Sequence, residues 1–128
     1  MKCLLDTHTL LWIAANDSKL SKKAKNLYLN SGNIVLFSLA SLWEIAIKIS
    51  LKKLSIEVPL SEFVEIHIKA NDIHILNIEL QHILPLENLP YHHRDPFDRL
   101  IVSQCLYENI PVLSSDKIFD LYPIKRMW

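Results

Sequence analysis

Apolar residues form short continuous runs that alternate with longer segments in which they recur at helical spacing. The short runs have strand length and cover residues 2–5, 34–37, 73–76 and 111–114, with 123–127 as a candidate edge strand. A continuous apolar run of this length is typical of a strand that is buried on both faces, as in a parallel sheet. The pattern therefore predicts four strands and one further strand at an edge.

Helices are predicted between these runs. The clearest covers residues 38–53, where Leu42, Ile45 and Ile49 recur at steps of three and four residues. The other helical segments are 7–15, 21–29, 59–70, 78–84 with Pro85 ending it, 95–107 and a short turn at 116–121. Strands that alternate with helices indicate parallel strands joined by right-handed crossovers. We therefore predict an α/β fold with three layers, α/β/α, around a central and mostly parallel sheet.

Size and composition favour one globular domain over residues 1–128. No apolar run reaches the roughly 18 residues of a membrane span, and Asp6 comes too early for the apolar core of a signal peptide. We therefore expect a cytoplasmic protein with no membrane partner. Cys3 and Cys105 match neither a zinc spacing nor a disulfide framework and are expected to be small buried residues.

Charge and glycine content narrow the functions that remain. The formal net charge is zero, so a polyanion would have to bind at a local patch. Gly32 is the only glycine, which excludes Walker A and dinucleotide-binding motifs, since both need several. Phosphate would therefore have to be held by a metal ion or by side chains.

Aspartates stand at the ends of predicted strands and at the start of a predicted helix. Asp6 ends the first strand, and Asp116 follows the fourth. Asp95 fits the N-cap of the helix 95–107, which places Asp98 at the third helical position, beside the free amides of the helix start. Ligand sites of parallel sheets lie outside the carboxyl ends of the strands, which is the edge that these acids share.

These acids, joined by Glu44, are hypothesised to form one metal site. Carboxylates gathered at one edge repel one another and raise each other's pKa, and a divalent cation relieves that repulsion. Ligands that offer only oxygen suit Mg²⁺ or Mn²⁺ better than zinc. A metal-activated water that attacks a phosphodiester is then the natural chemistry.

Each acid also has a purely local explanation. Asp6 and Asp116 could cap the helical segments that follow them, and Asp95 is most simply an N-cap. Glu44 lies three residues after Ser41, a spacing that fits a capping box. The joint hypothesis is favoured because caps alone should scatter over both ends of the sheet.

Histidine and basic residues supply candidate phosphate contacts. His8 could border the site, and Lys48 could either pair with Glu44 or contact phosphate. Arg99 could pair with an acid or reach the substrate. His92, His93 and Arg94 could contact phosphate or form a solvated loop, whereas His67, His74 and His82 are expected to be structural or exposed.

Four segments together resemble a known family. They are LLDTH at 4–8, SLWEIAIK at 41–48, HHRDPFDRLI at 92–101 and SSD at 114–116. In type and order they resemble the blocks of PIN-domain proteins and, within these, of the VapC-type toxins of bacterial toxin–antitoxin modules. The resemblance extends over essentially the whole chain.

The resemblance implies an α/β/α fold, an acidic Mg²⁺ or Mn²⁺ site, cleavage of single-stranded regions of RNA and a cognate antitoxin that silences the enzyme. It also implies frequent homodimers. Asp6, Glu44, Asp98 and Asp116 match the family's acidic positions, and Asp95 is expected to be a structural cap. The candidate substrate-binding residues are Thr7, His8, Lys48, Arg94, Arg99, Ser114 and Ser115, the two serines standing where the family usually carries threonine. The apolar faces of 7–15 and 38–53 are candidates for the antitoxin groove.

Two other functions compete with a metal-dependent endoribonuclease. The first is a catalytically inactive module of the same fold that acts through protein contacts. The second is a phospho-acceptor receiver domain, which is disfavoured because Asp6 has no acidic neighbour. The RNA target, the number of metal ions and cleavage of DNA stay open at this point.

Overall fold

The computed structural model describes residues 1–128 and has a single parallel sheet. Its five strands are β1 (Lys2–Leu5), β2 (Ile34–Ser38), β3 (His74–Leu76), β4 (Val112–Leu113) and β5 (Arg126–Met127). Their order across the sheet is β3-β2-β1-β4-β5, and every neighbouring pair is parallel. The predicted α/β fold is therefore confirmed, including the final strand at an edge.

Six α-helices connect and cover these strands. They are α1 (Thr7–Ala15), α2 (Lys22–Leu29), α3 (Leu39–Ser50), α4 (Leu60–Phe63), α5 (Leu80–Ile83) and α6 (Pro96–Glu108). Both α1 and α6 end on an asparagine in the left-handed conformation, Asn16 and Asn109, a residue that adopts it more easily than most. None of the helices has the length and apolar character needed to cross a membrane.

Two predicted helices differ in detail. The segment predicted as one helix over 59–70 consists of α4, a wider π-helical turn at Val64–Ile68 and a 3₁₀ turn at Lys69–Asn71. The helix predicted over 78–84 is the shorter α5, Leu80–Ile83, which ends before Pro85, and a 3₁₀ turn over Leu84–Glu87 follows it and contains this proline. Proline is tolerated there because the first residues of a helical turn need no amide hydrogen.

Apolar side chains pack on both faces of the sheet. Alternation along β1 sends Cys3 and Leu5 into one cluster and Leu4 into the other. The first cluster includes Leu10 of α1 and Ile45 of α3. The second is formed largely by α6 and the segment after β4, and its members include Ile101, Val102, Cys105, Phe119 and Tyr122. The three predicted layers follow from this division.

The two cysteines are buried, as predicted, and each lies in a different cluster. Both are free and buried, Cys3 on the α1 side of the sheet and Cys105 on the α6 side. Burial raises the pKa of both thiols. Because the thiolate is the reactive form, neither cysteine is a candidate nucleophile.

Helix caps bring the first polar groups to the carboxyl edge of the sheet. Asp6 caps α1, and Asp95 caps α6. Ser38 caps α3 by accepting a hydrogen bond from the amide of Ala40 at 3.1 Å. The capping box suggested for Ser41 and Glu44 is therefore wrong, because α3 begins three residues earlier and Glu44 lies in its second turn.

Candidate metal centre

The acids predicted from the sequence come from four elements that meet at the carboxyl edge of the sheet. Asp6 directly follows β1, and Asp116 follows β4 after two serines. Asp98 lies in the first turn of α6, and Glu44 in the second turn of α3. Since β1 and β4 are hydrogen-bonded neighbours, their ends bring Asp6 and Asp116 to the same place.

Asp6 is buried, and both of its carboxylate oxygens are engaged. Oδ1 accepts hydrogen bonds from the amide of Thr9 at 2.7 Å and from its hydroxyl at 2.6 Å. Oδ2 accepts a hydrogen bond from the hydroxyl of Ser114. The capping role is therefore real, and the same contacts fix the carboxylate in the direction of β4.

Ser114 connects Asp6 to Asp116. Its hydroxyl donates to Asp6 and accepts from the backbone amide of Asp116 at 3.0 Å, and the side chain is fully buried. The hydroxyl is thus used inside the protein, where it binds the carboxylate of Asp6 and the backbone of Asp116. Ser115, the other predicted substrate contact of this segment, is half-buried.

Asp98, Asp116 and His93 form the tightest group of potential ligands. One ligand atom from each lies within 4.8 Å of the other two. Oδ2 of Asp116 is 2.8 Å from Nε2 of His93, and Oδ1 accepts from the amide of Ile118 at 3.0 Å, so Asp116 also caps the turn that follows it. Asp6 and Glu44 lie outside this 4.8 Å group.

Asp98 carries the clearest electrostatic signature of the site. Burial raises its pKa from 3.8 to about 7, helped by the charges of Asp95, Glu44 and Asp116, while His93 acts in the opposite direction. The carboxylate accepts no hydrogen bond from the chain that would offset this cost. An uncompensated carboxylate beside other carboxylates fits a hard divalent cation that prefers oxygen ligands.

Glu44 lies at the border of this group. Its Oε1 accepts from the hydroxyl of Thr7 at 2.7 Å, and its Oε2 pairs with Nζ of Lys48 at 2.9 Å. Of the two roles considered for Lys48, the ion pair along α3 is therefore the one that the structure contains. Thr7, a predicted substrate contact, is likewise bound to Glu44.

The remaining basic candidates fall into two classes. His8 and Arg94 are exposed, His8 stacking on Trp12 with ring centroids 6.0 Å apart. Arg99 is 6% exposed and donates to the carbonyls of a preceding loop. These acceptors are Pro90 at 2.9 Å, Leu89 at 3.0 Å and Leu86 at 3.3 Å. The guanidinium is thus bound by the carbonyls of the loop, which favours a structural role for Arg99 over contact with the substrate.

His93 is the residue of this site that sequence reasoning missed. It is buried at the acids, whereas the neighbouring His92 is exposed. The only local signal is its position just before the capping Asp95, and that signal does not distinguish the two histidines. His82 is also buried, against Glu108 at 3.0 Å, which agrees with the structural role expected for it.

The raised pKa of Asp98 gives a stability prediction for the metal-free protein. Between about pH 4 and pH 7 the folded form binds more protons than the unfolded form, so the free energy of unfolding falls as pH rises through this window. Asp98→Asn removes the effect. We compare the two proteins in EDTA at pH 5 and pH 8. The free energy of unfolding should fall by about 1–2 kcal/mol more in wild type than in Asp98→Asn, a figure that is reduced because Asp98 is partly exposed to solvent.

Urea unfolding of both proteins at the two pH values measures this difference. Asp95→Asn should keep a smaller pH dependence, because Asp98 stays ionisable and Asn caps almost as well as Asp, while one of the charges that raise the pKa of Asp98 is removed. The same pH dependence in wild type and Asp98→Asn would show that Asp98 titrates normally.

Comparisons with known proteins give one family and two similar structures. The family model described as PIN domain matches residues 3–125. The structure of VapBC2 from Rickettsia felis bound to a DNA fragment from their promoter has a TM-score of 0.71 at 16% identity, over 99% of this chain and 98% of that chain. The structure of DNA-bound VapBC from Salmonella typhimurium has a TM-score of 0.71 at 18% identity, over 99% and 97%. The curated protein sequences give no match.

Proposed function

The chain belongs to the PIN domain family, and on that premise we propose that it is a VapC-type toxin that acts as an Mg²⁺- or Mn²⁺-dependent endoribonuclease. The observation that carries this proposal is the pair Asp98 and Asp116, whose ligand atoms approach within 4.8 Å at the carboxyl edge of a parallel sheet. Residues 1–128 are proposed to form one such domain, acting in the cytoplasm.

Asp98 and Asp116 are the residues that would hold the cation, with Asp6 and Glu44 as the further acids of the site. A bound Mg²⁺ or Mn²⁺ supplies a water of lowered pKa as the nucleophile and stabilises negative charge on the leaving oxygen. The chain contributes the fixed orientation of the acids. The hydroxyl of Ser114 binds the carboxylate of Asp6 and the backbone amide of Asp116, and the carboxylate of Asp116 is contacted by the amide of Ile118 and by His93, so both acids are oriented before a cation binds.

Side chains at the border of the site are proposed to contact the RNA. Lys48 is partly exposed while its ammonium pairs with Glu44, so a phosphate beside Glu44 can share that charge. Arg94 is exposed between His93 of the site and the capping Asp95, and guanidinium groups bind phosphate in bidentate fashion. His8 is exposed at the start of α1, directly after Asp6 and Thr7.

Single-stranded RNA is the proposed substrate because of the family resemblance. Metal-activated water attacks RNA and DNA backbones alike, so the acids themselves do not choose between the two. Recognition of the 2′-hydroxyl would have to come from other groups at the edge of the site.

An antitoxin is the proposed protein partner, because both similar structures are VapBC assemblies. The outer side of α3 offers an apolar surface for it. Trp43 is 60% exposed and meets the ring of Phe97 edge-on, with centroids 5.3 Å apart. Since these two residues neighbour Glu44 and Asp98, a segment bound there would cover the acids. A homodimer is proposed on the resemblance alone.

Cleavage of a labelled pool of single-stranded RNA tests the proposed activity. Wild type should cut the pool with Mg²⁺ or Mn²⁺ and stop when EDTA is added, and a matched single-stranded DNA pool measures the preference between the two nucleic acids. A folded wild type that cuts neither pool and binds no Mn²⁺ would favour the inactive binding module.

A further inference from the structure

The position of His93 leaves two roles open. Its side chain is 5% exposed, with Nε2 at 2.8 Å from Oδ2 of Asp116 and close to Asp98. The ring is packed against Phe119 at a centroid distance of 4.7 Å, which fixes its orientation. Nε2 could bind a cation through its lone pair, or it could carry a hydrogen and donate it to Asp116. The two roles require different tautomers of the neutral ring.

Tyr122 distinguishes the two tautomers. Its phenol oxygen accepts the backbone N–H of His93 at 2.8 Å and lies 3.2 Å from Nδ1 of the same residue. The phenol carries a single hydrogen, and Nδ1 is the acceptor available to it. When Tyr122 donates to Nδ1, the ring hydrogen is on Nε2, which then donates to Asp116. Every donor and acceptor in this series of hydrogen bonds then has a partner.

The opposite tautomer leaves a buried donor without a partner. If Nδ1 carried the hydrogen, the oxygen of Tyr122 would accept from both N–H groups of His93, and its own O–H would have no acceptor. An unsatisfied buried donor costs about 1–3 kcal/mol. Nε2 therefore carries the hydrogen and has no lone pair to offer a metal.

From this hydrogen-bond chain, and resting on the function proposed above, we infer that His93 is a positioning residue for Asp116 and not a metal ligand. Tyr122 fixes the ring of His93, and Nε2–H fixes Oδ2 of Asp116. The other oxygen, Oδ1, is held by the amide of Ile118. Both carboxylate oxygens keep free lone pairs for a cation, in an orientation set before the cation binds.

His82 provides an internal reference for the tautomer. It is fully buried, and its Nδ1 accepts the backbone N–H of Glu79 at 3.0 Å. A backbone amide can only donate, so the hydrogen of His82 is on Nε2, which faces Glu108 at 3.0 Å. Glu108 lies ten residues beyond Asp98 on α6, about 15 Å away, so His82 is outside the site.

NMR spectra of the full chain with ¹⁵N-labelled histidine test the inference directly. At a pH where the imidazoles are neutral, we expect His93 to show the Nε2–H pattern of His82, both in EDTA and with saturating Mg²⁺. A hydrogen on Nδ1 of His93, or loss of Nε2–H when Mg²⁺ is added, would overturn the positioning role.

Mn²⁺ binding followed by electron paramagnetic resonance gives the second readout. We expect His93→Ala to bind Mn²⁺ about 10–100-fold more weakly than wild type, the range for partners of metal ligands. His93→Gln should recover part of the affinity, because its amide can donate to Asp116. Tyr122→Phe should lose part of the affinity for Mn²⁺, because it removes the hydroxyl that fixes the ring of His93. His82→Gln is the control for losing a buried histidine and should leave Mn²⁺ binding unchanged.

Wild-type affinity in a folded His93→Ala protein would contradict the inference. RNA cleavage is not a readout in either experiment. A wild-type protein that binds Mn²⁺ and cuts no RNA would therefore refute the proposed nuclease without deciding the role of His93.

Discussion

Asp98→Asn is expected to lower metal-dependent RNA cleavage by more than about 100-fold. Asp98 and Asp116 are the two acids whose ligand atoms approach within 4.8 Å, and Asp98 has no hydrogen-bond partner in the chain to share its charge with. Asparagine keeps the size of the side chain and removes the charge that a cation requires. Substitution of residues that only hydrogen-bond to metal ligands lowers metal affinity or activity by about 10–100-fold, so the loss of a ligand itself should lower activity further. Single-turnover cleavage with saturating Mn²⁺ measures the effect.

Asp95→Asn is the matched control for this prediction. Asp95 lies three residues earlier in the same block and accepts the amide of Phe97 at 2.8 Å as the N-cap of α6. Since asparagine caps almost as well as aspartate, we expect cleavage within a few-fold of wild type. Equal losses in both variants would make Asp95 a member of the site, and full activity in a folded Asp98→Asn protein would refute the metal centre.

Arg99→Ala is expected to lower the free energy of unfolding by about 2–4 kcal/mol. The guanidinium donates to carbonyls of the loop before α6, at distances of 2.9–3.3 Å, and lies 3.8 Å from the centre of the Tyr91 ring. Alanine leaves the carbonyls without donors and the aromatic ring without its cation. Urea denaturation monitored by circular dichroism gives the change, and Arg99→Lys should recover only part of it, because lysine lacks the planar fork.

Arg94→Ala separates this structural role from a substrate role. Arg94 belongs to the same block of sequence but is exposed, so its replacement should change the free energy of unfolding by less than about 0.5 kcal/mol. If it contacts phosphate, RNA binding should weaken and become less dependent on salt. A stable Arg99→Ala protein with weakened RNA binding would instead return Arg99 to the substrate surface.

Sequence patterns predicted element bounds most accurately where a single residue ends one element and begins the next. Residues 2–5 and 7–15 were predicted as a strand and a helix, and β1 and α1 have these bounds. Asp6 explains the agreement, since it ends the apolar run and caps the helix. The segment 59–70 was predicted less well, because apolar spacing alone does not reveal where an α-helical turn widens into a π turn.

Roles that depend on distant contacts could not be predicted. His93 is defined by Tyr122 and Asp116, which lie 29 and 23 residues away, and nothing near it in sequence indicates them. The partners of Arg99 are backbone carbonyls, which a pattern of side chains does not contain. Ser38, rather than Ser41, caps α3 because β2 extends to Ser38, and the start of a helix is set by where the preceding strand ends.

The strand order also determines when the site can form during synthesis. β1 leaves the ribosome well before its neighbour β4, because the hydrogen bond from Ser114 to Asp6 spans 108 residues. At about 5–20 residues per second, several seconds separate the two ends. Contacts this distant in sequence also form slowly after release. The carboxylates therefore stay apart on the nascent chain, and the site can assemble only after the segment through Asp116 has left the ribosome.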